Sequence, residues 1–336
     1  MMSKFFVPAK YKSALSLYET QKAIGELRKA FERRLCDALD ICRVTAPLFV
    51  GSNTGFNDDL SGVERPVEFD ILETKTNAQI VHSLAKWKRY ALGQYGFPVG
   101  KGLYTDMNAI RRDEDMDNIH SIYVDQWDWE KVISKEDRNA EYLKDTVNRI
   151  IGALCDTLEE IKTNYPQVTT EIKREVSFIT SQELEDMYPD LTAKERENAY
   201  TKEHKTVFLM QIGDVLKSGN THDGRAPDYD DWTLNGDILI WNEVLQSAFE
   251  ISSMGIRVDK DALEAQLKKA NAEERKNLYF HKMLLEDKLP LTIGGGIGQS
   301  RLCMLILGKA HIGEVQVSVW DENTLRTAKE SGIDIL

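Results

Sequence analysis

A glycine-rich string near the carboxyl end of the chain, residues 294–301 (GGGIGQSR), restricts the fold more than any other feature. Four glycines in five positions allow the backbone to approach a ligand closely, because none of them carries a Cβ atom. The apolar run at residues 302–307 predicts a buried helix with Arg301 in its first turn. The helix dipole disfavours a cation there by roughly a few tenths of a kcal/mol, so the arrangement predicts an anionic ligand. The alternative is a glycine turn beside a solvated arginine.

The two commonest nucleotide-binding loops are absent from the sequence. The dinucleotide pattern Gly-x-Gly-x-x-Gly fails because the last glycine of the string falls one place early. The phosphate-loop pattern is approached only at Gly100-Lys101, where Tyr95 occupies the first glycine position and Gly102 the hydroxyl position. Nucleotide binding by this chain therefore requires a different fold.

Composition limits the class of protein. The chain has 336 residues, a hydrophobic content of 42% and a net charge of −12, which is typical of a soluble globular protein. A strongly acidic chain is a poor general binder of nucleic acid or of anionic membranes. No apolar stretch approaches the roughly 18 residues of a transmembrane helix, and the amino terminus lacks the apolar core of a secretion signal. These features predict a cytoplasmic protein that binds neither nucleic acid nor membrane.

Cysteine and histidine spacing predicts neither disulfides nor a metal site built from these residues. No Cys-x-x-Cys pair occurs, and the six histidines are scattered. The cysteines fall in apolar helical patterns, which predicts small core residues in a reducing compartment: Cys36, Cys42, Cys155 and Cys303.

Three helices are predicted from apolar spacing and capping residues. Residues 19–42 carry a stripe spaced three then four residues apart, formed by Ile24, Leu27, Phe31, Leu35 and Leu39. A second long stripe begins at Leu143 and ends at Ile161, and Thr192 with Glu195 forms a capping box that opens a helix over residues 193–204.

Strands are predicted in clusters rather than in strict alternation with helices. Residues 45–50 form a short strand in which Pro47 suits an edge or an interface. Residues 121–129 form a strand whose period of two places Gln126 and Asp128 on one face with Ile122 and Val124. The other predicted strands are 79–83, 176–180, 206–212, 237–241 and 249–258, with a polar loop at 217–236. This order favours an α+β domain with an antiparallel sheet flanked by helices over a doubly wound parallel sheet.

Charged residues inside apolar strands indicate a binding site. Asp237 opens one strand, and Glu250 lies on another with Ser252, Ser253 and Arg257. Burying a carboxylate is costly unless it is paired or bound to a metal. Two such carboxylates suggest Mg²⁺ held together with nucleotide phosphates, and the alternative is a structural ion pair with Arg257 or Arg301.

A charge run at residues 111–115 (RRDED) adds a second arginine. Such a run is usually a solvated turn. Arg111 and Arg301 approaching one phosphate from opposite sides would instead stabilise charge that develops on it during transfer.

This succession resembles the motifs of class II aminoacyl-tRNA synthetase catalytic domains. The RRDED string resembles motif 2, the Arg301 segment motif 3, and the long helix ending at Pro47 motif 1, which builds a dimer interface. Longer strings closely resemble ammonia-dependent asparagine synthetases, the type A aspartate–ammonia ligases, along nearly the whole chain. These strings are residues 58–62 (DDLSG), 81–89 (VHSLAKWKR), 123–129 (YVDQWDW), 225–232 (RAPDYDDW), 235–239 (NGDIL) and 252–257 (SSMGIR).

The resemblance implies a single class II synthetase-like catalytic domain over residues 1–336, acting as a homodimer. It implies that ATP adenylates the β-carboxylate of L-aspartate and that ammonia converts the β-aspartyl-AMP to L-asparagine. It implies catalytic roles for Arg111, Arg301, Asp58 and Lys88. Aspartate would be bound by Asp58, Lys88, Gln126, Asp128, Ser252, Ser253 and Arg257. ATP would be bound by Arg111, Arg225, Asp230, Asp237, Glu250, Gly294, Gly295, Gly296 and Arg301, with Mg²⁺ on Asp237 and Glu250.

The charges of this set suit aspartate. Lys88 and Arg257 could meet its two carboxylates, and Asp58 or Asp128 could meet its ammonium group.

Three alternatives remain open at this point. An aminoacyl-tRNA synthetase would need a tRNA-reading domain and a basic face. A non-catalytic amino-acid sensor would be marked by loss of a motif arginine, yet Arg111 and Arg301 are both present. Glutamine-dependent synthesis would need an amino-terminal cysteine nucleophile and an amidase domain, whereas position 2 is Met.

Overall fold

A computed structural model describes residues 5–58, 60 and 64–336. The helices are α1 (Leu17–Leu39), α2 (Ala85–Gln94), α3 (Ala140–Asn164), α4 (Ser181–Met187), α5 (Ala193–His204), α6 (Lys260–Lys269), α7 (Tyr279–Leu285), α8 (Gln299–Ile306) and α9 (Glu322–Glu330). The strands are β1 (Ile41–Arg43), β2 (Phe49–Gly51), β3 (Glu68–Ile71), β4 (Thr76–Ile80), β5 (Gly102–Ile110), β6 (Tyr123–Val132), β7 (Ser177–Thr180), β8 (Thr206–Met210), β9 (Asp230–Asn242), β10 (Ser247–Arg257) and β11 (Thr292–Gly298).

A large mixed sheet has the strand order β1-β5-β6-β11-β10-β9-β8-β7, and a small antiparallel sheet has the order β2-β4-β3. The large sheet is antiparallel from β5 to β8, as predicted, but its edge strands β1 and β7 pair in parallel with β5 and β8. The prediction of an antiparallel sheet was therefore wrong at both edges. The physical reason is the long crossover that each edge pair contains, which for β7 and β8 runs through α4 and α5.

Helices α1 and α3 cover one face of the large sheet and bury their apolar stripes in the main core, as the spacing predicts. Phe31 of α1 packs against Trp127 of β6 with ring centroids 4.9 Å apart. The Ser16 capping box begins α1, and Asp40 ends it because its φ of 58° is left-handed. The helix predicted to reach residue 42 therefore stops at Leu39, and the next residues form β1. The predicted helix at 193–204 is confirmed with its capping box.

Strand boundaries differ from the prediction at several places, and the strand predicted at 79–83 is β4, which already ends at Ile80. The strand predicted at 45–50 is reduced to β2, which leaves Pro47 outside it. The polar loop predicted to end at residue 236 ends earlier, because β9 begins at Asp230, which pairs with Arg257 of β10. The glycine string, for which no strand was predicted, forms strand β11 between β6 and β10, and the alternative of a glycine turn is not found. Glycine weakens a strand locally, so its β-structure here depends on two flanking strands that the string itself does not reveal.

The cysteines are all free, and two are buried as predicted, Cys155 and Cys303. Cys36 is partly buried, whereas Cys42 is exposed on β1, so the prediction that it is a core residue was wrong. In the part of the chain that the structure describes, no helix is both long and apolar enough to cross a membrane.

Candidate active site

A cavity of about 390 Å³ opens on the face of the large sheet opposite α1. The alternation of β6 separates the two faces: Gln126 and Asp128 line the cavity, while Trp127 and Trp129 lie in the main core. The turn after β5, the loop before β9 and the start of α8 complete the walls. Most predicted site residues line this cavity: Asp58, Arg111, Gln126, Asp128, Arg225, Asp230, Glu250, Ser253, Arg257, Gly295, Gly296 and Arg301.

Buried ion pairs form the floor of the cavity. Arg257 donates from Nη2 to Glu130 Oε2 at 2.7 Å and from Nε to Glu130 Oε1 at 3.0 Å, and it also pairs with Asp230. Lys88 pairs with Asp128, lies 3.7 Å from Glu130 Oε2 and donates to the Gly295 carbonyl at 3.2 Å. The cations predicted to meet substrate carboxylates are therefore already partnered by carboxylates of the protein.

Glu130 is the residue of this floor that sequence reasoning missed. Its side chain is fully buried and also accepts a hydrogen bond of 2.7 Å from the Thr292 hydroxyl. Burial alone would raise the pKa of Glu130, but Arg257 and Lys88 outweigh burial and hold it below its ordinary value. The period of two that places Gln126 and Asp128 on the cavity face continues to residue 130, and this pattern could have identified it.

Two arginines flank the other end of the cavity. Arg301 lies in the first turn of α8, as predicted, with Nη1 3.7 Å from Glu250 Oε2 and 3.2 Å from the Glu250 carbonyl oxygen. Arg111 follows β5, and its Nη1 lies 3.9 Å from Glu114 Oε2. The Nε of Arg111 is buried without a hydrogen-bond partner. Both guanidinium groups face space that an anion could fill.

The carboxylates predicted to hold Mg²⁺ lie on neighbouring strands. Asp237 of β9 is opposite Ser253 of β10, and it forms an ion pair with Arg225. Burial raises the pKa of Asp237 to about 7, against the effect of Arg225 and together with the charge of Glu250. For Glu250, burial also raises the pKa, but Arg301 and Arg225 outweigh it and the net shift is downward. Two carboxylates that destabilise each other's charge suit a divalent cation.

Among the described residues, no group of three His, Cys, Asp or Glu side chains could hold a metal alone. Mg²⁺ usually takes one or two carboxylates together with substrate phosphates, so the Asp237 and Glu250 pair fits that mode. The alternative of a structural ion pair is found in part, because Glu250 lies beside Arg301.

Asp58 lines the cavity with its side chain almost fully buried, and its Oδ1 accepts the Leu60 backbone N–H at 3.0 Å. Burial raises the pKa of Asp58, and the nearby charge of Lys86 opposes that rise. Lys86 in turn pairs with buried Asp228 at 3.1 Å. In the string at 58–62, Asp59, Ser61 and Gly62 lie outside the described residues.

Four predicted site residues are absent from the cavity lining. Lys88 belongs to the floor but is fully buried below the cavity surface, and Asp237 lies behind Arg225. Ser252 is buried on the face of β10 that it shares with core residue Met254, so its side chain is not brought to the cavity. Gly294 lies under Glu130, and a Cβ there would stand 2.6 Å from Glu130 Cδ. The glycines therefore make room for side chains of neighbouring strands as well as for a ligand.

Comparison with known proteins identifies the family. A family model of aspartate–ammonia ligases matches residues 18–332. The aspartate–ammonia ligase of Clostridium tetani is 62% identical over 334 residues, which cover 99% of this chain and 98% of that protein. The chain belongs to the aspartate–ammonia ligase family. A second member, from Lactobacillus johnsonii, is 58% identical over 332 residues, 98% of this chain and 99% of that protein.

Structural neighbours of this aspartate–ammonia ligase family member confirm the predicted class II synthetase-like fold. Asparaginyl-tRNA synthetase from Pyrococcus horikoshii, complexed with asparaginyl-adenylate, superposes with a TM-score of 0.64 at 16% identity. That match covers 89% of this chain and 68% of the synthetase. The Entamoeba histolytica enzyme, also with asparaginyl-adenylate, gives a TM-score of 0.63 at 13% identity over 89% of this chain and 66% of that one. The chain thus spans about two thirds of each synthetase.

Proposed function

We propose that this chain makes L-asparagine from L-aspartate, ammonia and ATP, with β-aspartyl-AMP as the intermediate and with AMP and pyrophosphate as the other products. The observation that carries the proposal is one cavity with two chemically distinct ends. Charged groups suited to a small amino acid lie at one end, and Arg111 and Arg301 lie at the other, with Glu250 beside Arg301.

At the amino-acid end, the paired charges of the floor present both signs within one cavity. Arg257 can share a hydrogen bond with a substrate carboxylate while keeping its protein partners, because its guanidinium carries five N–H donors. The three donors of the Lys88 ammonium are already taken by Asp128 and by the Trp129 and Gly295 carbonyls, so Lys88 contributes positive charge from below the cavity surface. Gln126 and Asp128 offer an amide and a carboxylate on the cavity face of β6. The site therefore suits a substrate with two carboxylates and one ammonium group.

Adenylation joins the two ends of the cavity. A β-carboxylate oxygen of aspartate attacks the α-phosphorus of ATP, the bond to the β-phosphate oxygen breaks, and pyrophosphate leaves. Arg111 and Arg301 stabilise the negative charge that builds on the phosphoryl oxygens, which is the largest catalytic term in such transfers. Asp237 and Glu250 would hold Mg²⁺, which neutralises phosphate charge when bound.

Ammonia then attacks the acyl carbon, the bond to the AMP oxygen breaks, and the new amine loses a proton. Asp58 is our candidate for the proton acceptor. It is buried and lines the cavity, and its raised pKa makes it a stronger base than an exposed aspartate. Replacement of Asp58 by Asn should slow asparagine formation more than adenylation.

An exchange assay tests the adenylate directly. Labelled pyrophosphate should enter ATP when aspartate is present and ammonium is absent. In the Asp58→Asn variant this exchange should persist while asparagine formation falls. If wild-type protein shows no aspartate-dependent exchange, and exchange requires ammonium, then the adenylate does not form as a separate intermediate.

A homodimer is also proposed, built through α1 and the small sheet. Large apolar side chains are exposed at the start of α1 and on the small sheet or directly beside its strands, which suits burial against a second copy. They include Leu17, Tyr18, Leu48, Phe49, Phe69 and Leu72. A cytoplasmic location remains part of the proposal, supported by four free cysteines.

A further inference from the structure

We propose that Asp125 is a positioning residue that fixes the first turn of α8. It thereby holds Arg301 where the guanidinium stabilises charge while the substrate carboxylate attacks the α-phosphorus. The inference rests on the proposed function. Asp125 lies on β6 next to Gln126, within the YVDQWDW string, and lines the cavity, yet no step of the proposed reaction uses it.

Helix α8 lacks a cap of its own. Its N-cap residue is Gly298, which has no side chain to accept the N–H groups of the first turn. Asp125 supplies that acceptor from the neighbouring strand: Oδ1 accepts the Ser300 backbone N–H at 3.0 Å, and Oδ2 accepts the Ser300 hydroxyl at 2.7 Å. Arg301 is the next residue along α8. The carboxylate thus holds the turn that carries the arginine.

The remaining partners of Asp125 tie this turn to two other parts of the fold. Arg28 of α1 donates to Oδ2 at 2.7 Å, and Gln316 donates to Oδ1 at 3.3 Å. Gln316 also donates to the Ser300 hydroxyl at 3.1 Å, and Arg28 reaches that hydroxyl at 3.4 Å. Asp125, Ser300 and Gln316 are almost fully buried. A network of this kind fixes side-chain geometry because each acceptor position is occupied.

The Asp125 carboxylate also bears on the position of Arg301, which the helix dipole disfavours. A cation in the first turn of a helix opposes the helix dipole, whereas a carboxylate there is stabilising. Asp125 places a carboxylate at this end of α8, where it accepts the Ser300 N–H, although Arg28 offsets part of its charge. The Arg301 guanidinium itself lies beside Glu250, so Arg301 can occupy the first turn without a bound anion. The protein therefore keeps the arginine in place before ATP arrives, which is the preorganisation that electrostatic catalysis requires.

Asp125→Asn is the direct test. In the amide, an NH₂ group replaces one of the two carboxylate oxygens, and both oxygens of Asp125 accept hydrogen bonds. At least one N–H donor of the network would therefore face another donor. At saturating substrates, kcat for AMP formation should fall about tenfold while KM for aspartate stays within about twofold. A purely structural role would lower the amount of folded protein and leave kcat per folded molecule unchanged.

A double-mutant cycle separates action through Arg301 from other effects. In an Arg301→Ala background, Asp125→Asn should lower kcat by no more than about twofold, because the group it positions is gone. In an Arg111→Ala background, the loss should again be about tenfold, because Arg111 lies on a different element. Equal losses in all three backgrounds would overturn the proposal, as would a change confined to KM for aspartate.

Arg28→Met provides a second test if the Asp125 variant fails to fold. Arg28 pairs with Asp125, whereas Arg33 on the same helix pairs with Glu160 of α3 at 3.1 Å. Arg28→Met should lower kcat about threefold, and Arg33→Met should leave it unchanged. Equal kcat in these two variants would overturn the proposal. A wild-type protein that makes no AMP from ATP and aspartate would instead refute the proposed function itself.

Discussion

Gly294 and Gly296 lie on β11 beneath different side chains, so alanine at each position should produce a different loss. A Cβ on Gly294 would stand 2.6 Å from Glu130 Cδ and 2.7 Å from Arg257 Nη2. A Cβ on Gly296 would stand 2.8 Å from Gln126 Cδ and 3.2 Å from its Nε2. The first position faces a buried ion pair, and the second faces a side chain that lines the cavity.

The stability cost of each alanine depends on whether the side chain that it meets can move away. Glu130 and Arg257 are fixed by several hydrogen bonds, so Gly294→Ala must push the pair apart. Removing one partner of a buried ion pair costs about 3–5 kcal/mol, which is an upper bound for displacing the pair, and overpacking alone costs about 1–3 kcal/mol. We expect Gly294→Ala to lower the free energy of unfolding by about 3 kcal/mol. Gln126 can swing into the cavity, so Gly296→Ala should cost about 1 kcal/mol or less.

The two variants should therefore separate stability from binding. Urea unfolding midpoints would report the first effect, and KM for aspartate the second. Gly296→Ala should raise KM for aspartate about tenfold, because Gln126 loses its position in the site. Unfolding of Gly294→Ala at the wild-type urea concentration would show that the ion pair yields to a Cβ without cost, and so would a Gly296→Ala variant less stable than Gly294→Ala.

Three further predictions follow from other parts of the molecule. Arg301→Ala and Arg111→Ala should each lower kcat/KM by at least about tenfold, or 1.4 kcal/mol, with most of the loss in kcat; a smaller loss in steady-state assays would remove that arginine from the catalytic set. Burial lowers the pKa of His311 from 6.5 to about 4, and its Nδ1 accepts the Gly313 N–H, so its stabilising contribution is complete above pH 6.5 and lost as pH falls towards 4. The free energy of unfolding, measured by urea titration, should fall by about 3 kcal/mol between pH 7 and pH 4 through this residue, and the His311→Gln variant should lack that loss. Sedimentation at micromolar concentration should show a dimer, and a monomer there would contradict the interface proposed for α1.

The parts of the fold that the sequence predicts are those with a repeated local pattern. The stripes of α1 and α3, the capping box before α5 and the two faces of β6 each depend on spacing within one segment. The 3.6-residue and two-residue periods fix which side chains share a face, so these features could be predicted without knowing what they pack against.

The parts that it does not predict depend on distant neighbours. Strand β11 is built from glycines with little strand preference, and it forms because β6 and β10 supply hydrogen bonds on both sides. The parallel edges of the large sheet are likewise set by crossovers and not by local spacing.

Some residues of the site were likewise predictable from the sequence, and others were not. Arg111, Arg301 and Glu250 were predicted from residue type and motif, and the structure brings them to one cavity. The pairing of Arg257 with Glu130 could not be predicted, because these residues lie 127 positions apart and meet only across β11.

The nitrogen source and the identity of the products test the proposed function most directly. Purified protein should be incubated with ATP, aspartate and ammonium, and AMP, pyrophosphate and asparagine should be measured together. We predict equal amounts of the three products, a rate that rises with pH as ammonium loses its proton, and no comparable turnover when glutamine replaces ammonium that has been rigorously removed. Formation of ADP instead of AMP, or glutamine-supported turnover at the ammonium rate, would contradict the account.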